Sequence, residues 1–304
     1  MSNTSLSGVC ALVVTYRPDP LALRALLDAL SGQVGATLVV DNTGAGEPSC
    51  VEAGMPGVTA VVRLPDNIGL AQAQNLGWAW AKEHQYPYVL LLDQDSLPGN
   101  GMVQALLEAI EALGRTQRVA AVGPRFRDLR EERDAPFVRI GFPFNRKLWC
   151  EPGKPTVSCD FLISSGALIP IEVLDQVGGM DAGLFIDNVD MEWSFRVRAA
   201  GHALHGVCAA TMHHRLGDAR ARLPFGWGQV TVHGPPRLYY MMRNRVRLYR
   251  MQHTPAAWIA QDVPRVLVKL LLFGVLIGPR RRNLRFMLRG LADGWRGREG
   301  PCNL

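Results

Sequence analysis

Between residues 9 and 113, short apolar runs rich in β-branched residues alternate with longer stretches of helical spacing. This alternation restricts the fold more than any other feature. VCALVVT (9–15) is a short apolar, β-branched run, as buried strands are, and ATLVV (36–40), VTAVVRL (58–64) and YVLLL (88–92) read as further strands. The stretches 21–30, 70–83 and 102–113 repeat leucine and alanine at three- and four-residue intervals, and Ser31-Gly32 stops the first of them. Strands alternating with helices pair in parallel and are covered on both faces. The expected fold is therefore α/β, a Rossmann-like and mostly parallel sheet with flanking helices. Ligands bind such sheets beyond the carboxyl ends of the strands.

Three polar clusters fall at those ends: Thr15-Tyr16-Arg17, Asp41-Asn42 and Asp93-Gln94-Asp95. In LLLDQDSLPG (90–99), strand alternation would put Asp93 and Asp95 on one face and Gln94 on the other. Two like charges on one face repel unless water solvates them or a cation lies between them. An acidic turn punctuated by Ser96, Pro98 and Gly99 is the plain alternative. The company of two further polar clusters favours a nucleotide pocket. A dehydrogenase would use the same architecture, and Asp41 stands where a ribose-binding acid could. However, TYRPDP follows the first strand, with no GxGxxG, and no P-loop occurs. Without a backbone cradle, a diphosphate needs another counterion, which a metal at Asp93 and Asp95 would supply. A nucleotidyltransferase should carry a glycine-rich, basic segment after the first strand, and none is present.

At 304 residues and 48% hydrophobic content, the chain can hold one large domain with an appendage or two modest domains. Its net charge of +6 is uneven: Arg265, Lys269, Arg280, Arg281, Arg282, Arg285, Arg289, Arg296 and Arg298 crowd the last forty residues. Such a tail favours an anionic partner. It lacks the interleaved aromatic residues on which nucleic-acid bases stack, so a lipid surface is expected and nucleic acid is not. The apolar run VLVKLLLFGVLIG (266–278) is shorter than the ~20 residues of a membrane-spanning helix. A buried helix and an interfacial helix both fit it. The six cysteines form no CxxC pair, so scattered reduced thiols are expected rather than a zinc site or disulfide framework. MSNTSLSGVCALVV has no basic region before its apolar run, which places the chain on the cytoplasmic side.

The series VVTYRPD, VVDNTG, DNIGLAQAQNLG, LLLDQDS, FLISSGALI, LFIDNVDMEWSFR and HHRLGD, in order between about residues 9 and 250, resembles the family 2 glycosyltransferases of the GT-A fold. Within that family it is most similar to bacterial rhamnosyltransferases that use dTDP-L-rhamnose. The resemblance implies a GT-A catalytic domain over residues 1–250, with a nucleotide-binding half to about 125 and an acceptor half after it. Residues 251–304 would form a basic tail of amphipathic helices for membrane attachment.

The same resemblance implies roles. Thr15, Tyr16 and Arg17 would flank the nucleotide, Asp41 would bond its base, and Asn67, Gly69 and Asn75 would line base and ribose. Asn67 could equally cap a helix. Asp93, Gln94 and Asp95 match the DxD motif, whose carboxylates reach the ribose and a Mg2+ or Mn2+ on the diphosphate, Asp95 more directly. His214 would stand near the metal. Ser165 belongs to the segment beneath the sugars. Asp190 matches the catalytic base; many relatives carry Glu-Asp there, and here Val189 precedes it while Asp187 and Glu192 lie close by. An acidic first turn of a helix is the structural alternative. Glu192, Arg237 and Arg243 are candidate phosphate or acceptor contacts. The QxxRW signature of processive synthases is missing. The implied reaction is metal-dependent, inverting transfer of one L-rhamnose from dTDP-β-L-rhamnose to a hydroxyl of a lipid-linked saccharide. Its setting would be O-antigen, lipopolysaccharide or related surface-glycan synthesis at the inner face of the inner membrane. Rhamnolipid synthesis and transfer from another nucleotide sugar are the alternatives.

Overall fold

In a computed structural model of the chain, residues 5–128, 133–214, 220–222 and 229–302 are described. The first half follows the expected alternation: β1 (Val9–Thr15), α1 (Pro20–Leu30), β2 (Ala36–Asp41), β3 (Ala60–Arg63), α2 (Leu70–Glu83), β4 (Tyr88–Asp93), the two-residue β5 (Leu97–Pro98) and α3 (Met102–Gly114). After these come β6 (Val119–Asp128), β7 (Arg133–Asp134), β8 (Phe137–Arg139), β9 (Arg146–Leu148), β10 (Thr156–Cys159) and β11 (Leu168–Pro170). The chain continues with α4 (Ile171–Val177), α5 (Val189–Ala199), β12 (Ala203–His214), β13 (Arg220–Arg222), β14 (Gln229–Thr231), α6 (Pro235–Tyr249), α7 (Ala256–Leu271) and α8 (Arg280–Trp295).

The main sheet runs β10-β12-β6-β11-β4-β1-β2-β3. The pairs β1–β2, β1–β4, β2–β3 and β6–β12 are parallel, whereas β11 enters between β4 and β6 antiparallel to both. Every residue of β1 and β2 is buried, which explains why these strands read as unbroken apolar runs. One face of the sheet packs Leu12, Val14, Leu38 and Leu91 under α2 and α5; the other packs Val13, Val39, Leu90 and Leu92 under α1 and α3. Asp19 caps α1 through Leu21 N and Ala22 N, with Pro20 at its first position.

α7 and α8 pack on α6. Leu238 and Met242 of α6 share a core with Val266 of α7, Phe273 and Ile277 of the connecting turn, and Met287 of α8. The apolar run divides its side chains: Val266, Phe273 and Ile277 face inward, while Leu267, Val268, Leu271, Val275 and Leu276 are exposed. Among the described residues, no helix is long and apolar enough to cross a membrane.

The expectation of reduced thiols fails at one pair. Cys150 and Cys208 form a disulfide, their Cα atoms 5.6 Å apart although 58 residues separate them. The antiparallel β10–β12 ladder, Thr156 opposite Val207, makes them neighbours, and cysteine spacing carries no trace of that pairing.

The α6–α8 contact depends on glycine. A Cβ on Gly294 would lie 2.5 Å from the Arg243 carbonyl oxygen and 2.8 Å from Val246 Cβ. Gly294→Ala should therefore cost about 1–3 kcal/mol by forcing α8 off α6. Gly114→Ala, with nothing within 4 Å of its new methyl, is the control and should be neutral or slightly stabilising. Thermal unfolding of both variants checks this.

Candidate active site

The polar clusters meet at the carboxyl edge of the sheet because parallel register aligns the strand ends. Thr15 is level with Asp41, and Val14 is level with Asp93. The buried Thr15 hydroxyl donates to Asp41 Oδ1 at 3.2 Å, and Thr43 N donates to the same oxygen at 3.2 Å. Tyr16 and Arg17 are exposed at the mouth, where Arg17 has φ 46° and pairs with Glu47. Asn42 links the second cluster to the start of α2: its Nδ2 donates to Asn67 Oδ1 at 3.0 Å, and its Oδ1 accepts from Ile68 N at 2.8 Å. Asn67 Oδ1 also accepts from Gly69 N at 2.9 Å, so Asn67 shapes the entry to α2 while Gly69 occupies the cap position. Gly69 has φ 87°, and a Cβ there would strike the Phe185 ring at 2.6 Å.

The DxD segment departs from simple alternation. β4 ends at Asp93, and residues 94 and 95 turn, closed by Ser96 N donating to Asp93 O at 3.1 Å. The turn rather than the pleat thus sets the direction of Asp95, which is exposed. Neutral groups brace it. The Gln94 carboxamide accepts from Tyr16 N at 2.7 Å and donates to Tyr16 O at 3.3 Å. The Ser165 hydroxyl accepts from Asp93 N at 3.0 Å and lies 2.6 Å from the Ser96 hydroxyl. Ser165 is fully buried, so it supports the turn from below.

Asp190 lies in the first turn of α5, partly buried, and accepts from Met191 N at 2.8 Å. Burial pushes its carboxyl up to about 6, and the negative charges of Asp93 and Asp187 add to that rise. Asp93, Asp187 and Asp190 therefore share one electrostatic environment. Asp187 has φ 65° and forms an ion pair with Arg237 at 3.2 Å.

Other candidates point elsewhere. Asn75 clamps the backbone of Met180, donating to its carbonyl at 2.9 Å and accepting from its N–H at 2.7 Å. Glu192, only 2% exposed, pairs with Arg196 at 2.8 Å and lies 2.9 Å from His253 Nε2. Arg243 is wholly buried and donates to Leu184 O at 2.8 Å and Gly183 O at 3.0 Å. The fold thus does not bring Glu192 or Arg243 to the mouth of the site. His214 ends β12, but its side chain lies outside the described residues, as do residues 215–218 of HHRLGD. A cleft of about 700 Å³ opens at the opposite edge of the sheet, beside Tyr88, Val119, Pro170 and His202, away from these groups.

Asn244 was not singled out from the sequence, yet it organises the loop before Asp190. Its Nδ2 approaches the carbonyls of Leu184, Ile186 and Asp187 at 2.9, 2.7 and 2.8 Å. Phe185, Asp187 and Asn188 all have positive φ, a cost of about 1 kcal/mol or more each that surrounding contacts must offset. The only sequence cue was the Arg243-Asn244 pair within YYMMRN.

A parallel sheet with polar strand ends, a DxD turn and an aspartate at the start of a later helix defines a sugar-nucleotide transferase of GT-A architecture. Residues 20–169 match the family described as Glycosyl transferase family 2, and the chain belongs to that family. It is 29% identical over 299 residues, 97% of each chain, to the dTDP-rhamnosyl transferase RfbF of Shigella flexneri. Its fold is similar to that of GalNAc-T7 crystallised with UDP, GalNAc and Mn2+: TM-score 0.59, 13% identity, 93% of this chain and 54% of that one. This chain therefore spans about half of that protein's length. It is also similar to residues 1–349 of S. aureus TarS in complex with UDP-GlcNAc, with TM-score 0.58 and 13% identity over 95% of this chain and 81% of that one. At 13% identity these two likenesses concern the fold alone.

The raised Asp190 carboxyl has a consequence for stability. A carboxyl whose pKa is higher in the folded state favours folding below its unfolded value near 4, and that advantage is lost as pH rises through about 6. Asp190→Asn should thus stabilise the metal-free protein by roughly 1–2 kcal/mol at pH 7–8 and leave it nearly unchanged at pH 4. Denaturant unfolding in chelator at the two pH values measures the difference.

Proposed function

We propose that the chain is an inverting rhamnosyltransferase that moves L-rhamnose from dTDP-β-L-rhamnose to a hydroxyl of a lipid-linked saccharide in surface-glycan synthesis. The observation that carries this reading is the convergence of Asp93, Asp187 and Asp190 beside the Thr15–Asp41–Asn67 edge, in a chain that matches a dTDP-rhamnosyl transferase along 97% of its length. The acceptor belongs to the proposal and not to the comparisons. So does attachment of the enzyme to the inner face of the membrane through its basic C-terminal helices.

In this reading, Asp41 and Thr15 form the floor under the base, while Asn67 and Gly69 shape the wall beside the ribose. Asn75 acts at a distance, fixing α2 against residues 179–180. Gln94 and Ser165 hold the DxD turn rather than touch the sugar. The donor set of the turn fits a divalent ion: Asp93 and Asp95 offer hard carboxylate oxygens of the kind Mg2+ and Mn2+ prefer. Among the described residues, no group of three His, Cys, Asp or Glu could hold a metal, so diphosphate oxygens would have to complete the shell. When bound, such an ion neutralises charge that develops on the departing dTDP. His214 is proposed as a further ligand.

Asp190 is the proposed base. With a carboxyl at about 6, it is largely ionised at neutral pH yet more basic than an ordinary aspartate. It takes the proton of the acceptor hydroxyl as that oxygen bonds to C1 of rhamnose and the bond from C1 to the diphosphate breaks. Attack from the opposite side turns the β-linked donor into an α-L-rhamnoside. Arg237, paired with Asp187, is the proposed cation for donor or acceptor phosphate.

Asp190→Asn should leave donor affinity nearly unchanged and lower turnover by roughly 10²–10⁴-fold. Wild-type turnover should fall on the acid side near pH 6. Glu192→Gln should reduce thermal stability, since it leaves Arg196 without its buried partner, with a smaller effect on turnover in the folded fraction. Calorimetry of donor binding and product formation across dTDP- and UDP-sugars tests these assignments. Normal transfer by Asp190→Asn rules out this base.

Asp95→Ala should abolish metal-dependent dTDP binding while the protein stays folded. Full activity of that variant in chelator would remove the metal from the reading.

A further inference from the structure

A second apolar element stands beside the C-terminal helices and belongs to the catalytic domain. At the tip of the β8–β9 hairpin, Phe142 is 70% and Phe144 79% exposed, with Arg139, Arg146 and Lys147 exposed on its two strands. The hairpin is anchored to the sheet. Ile140 N donates to Asp160 Oδ2 at 2.7 Å, Asp160 N donates to Val138 O at 2.9 Å, and the Phe137 ring lies over Gly206, where a Cβ would meet it at 2.1 Å. Its tip also touches α7, because the buried Gln261 donates its amide to the Gly141 carbonyl. Through that contact the loop bearing the two phenylalanines meets the helix that exposes Leu267 and Leu271, and Leu288 of α8 is exposed as well. Arg280, Arg281, Arg282 and Arg285, in the first two turns of the same α8, are exposed too.

We propose that the β8–β9 tip and the outer face of α7–α8 form one docking surface for an anionic lipid bilayer. Phe142 and Phe144 enter the interfacial layer beside the leucines, while the arginines and Lys147 meet lipid phosphates. Charge decides the occupant: large apolar side chains ringed by cations complement a surface with an acyl interior and anionic headgroups. Large apolar side chains exposed together with cations mark an interaction site. The inference deepens the membrane placement proposed above and rests on it. It adds an anchor outside the tail, and two separated anchors fix how the catalytic edge is oriented over the membrane, which one helix could not do.

The test uses the full chain and vesicles of phosphatidylcholine, with or without about one-third phosphatidylglycerol. Wild-type protein should float with the anionic vesicles and much less with the neutral ones, and salt should weaken the binding. Phe142→Ser/Phe144→Ser and Leu267→Ser/Leu271→Ser should each lower partition about tenfold or more, with melting temperatures unchanged because the side chains are exposed. Hydrolysis of dTDP-rhamnose without lipid is measured alongside. If the hairpin variant floats like wild type, the second anchor is wrong, and retained hydrolysis leaves the rhamnosyltransferase reading standing. Equal flotation on neutral vesicles overturns the anionic partner. A lipid-free dimer that the hairpin variant dissociates would assign the surface to a second copy of the chain. Loss of flotation in both variants, in a protein that never hydrolyses the donor, would support the surface and remove the reading of its substrate.

Discussion

The segment from Gly183 to Asn188, which carries Asp187 and leads into the first turn of α5 with Asp190, is held in place by one helix. Residues Arg243 and Asn244 of α6 are buried side by side, bonded through Arg243 Nε to Asn244 Oδ1 at 3.0 Å. Together they supply donors to the carbonyls of Gly183, Leu184, Ile186 and Asp187. A buried guanidinium is costly unless its N–H groups find acceptors, and this one finds backbone oxygens and the faces of Tyr239 and Tyr240, 5.7 and 5.0 Å away. Three residues with positive φ can persist there because carbonyls among and beside them, those of Leu184, Ile186 and Asp187, are fixed from outside. Phe185, itself one of them, packs against Gly69 and thereby presses this loop to the start of α2. That contact, with Asn75 on Met180 and Ser165 under Asp93, joins the later half of the chain to the polar strand ends.

Gathering acidic side chains at a sheet edge raises the cost of charging any one of them. The structure answers with neutral braces for some and a cation for another. Gln94 and Ser165 hold the DxD turn without adding charge, and Arg237 offsets Asp187. Asp190 is left partly buried near two other carboxylates, and its proton affinity rises accordingly. Glu192, two residues on, escapes this crowding because its helix turns it into the interior towards Arg196 and His253. Adjacent acidic residues on one helix thus acquire different chemistry from the direction each faces.

α6 also links the site to the tail. One side of it holds the loop before Asp190; another packs α8 at a distance only Gly290 and Gly294 permit. α7 and α8 therefore divide their apolar residues between an inner face on α6 and an outer face towards solvent.

Much of this was legible along the chain, and the reason is range. Strands such as VCALVVT and helices such as 70–83 announce themselves because burial on both faces, or on one helical stripe, leaves a local period in the sequence. Parallel strands then align their carboxyl ends, so the gathering of Thr15, Asp41 and Asp93 at one edge followed from element order alone. What the period could not carry was which side chain faces which partner across tens of residues. Glu192 and Asp190 look equivalent as letters, Ser165 reads as a site residue until its hydroxyl is found under Asp93, and Asn244 lies 57 residues from Asp187, whose carbonyl it holds. Cys150 and Cys208, and the meeting of Gly141 with Gln261 of α7, belong to the same class. Local patterns record how each segment meets the core, so the sequence by itself determined the elements and the edge where they act. Contacts between distant segments leave no such period, and only the tertiary structure decided which carboxylate stands at the site and which is buried away from it.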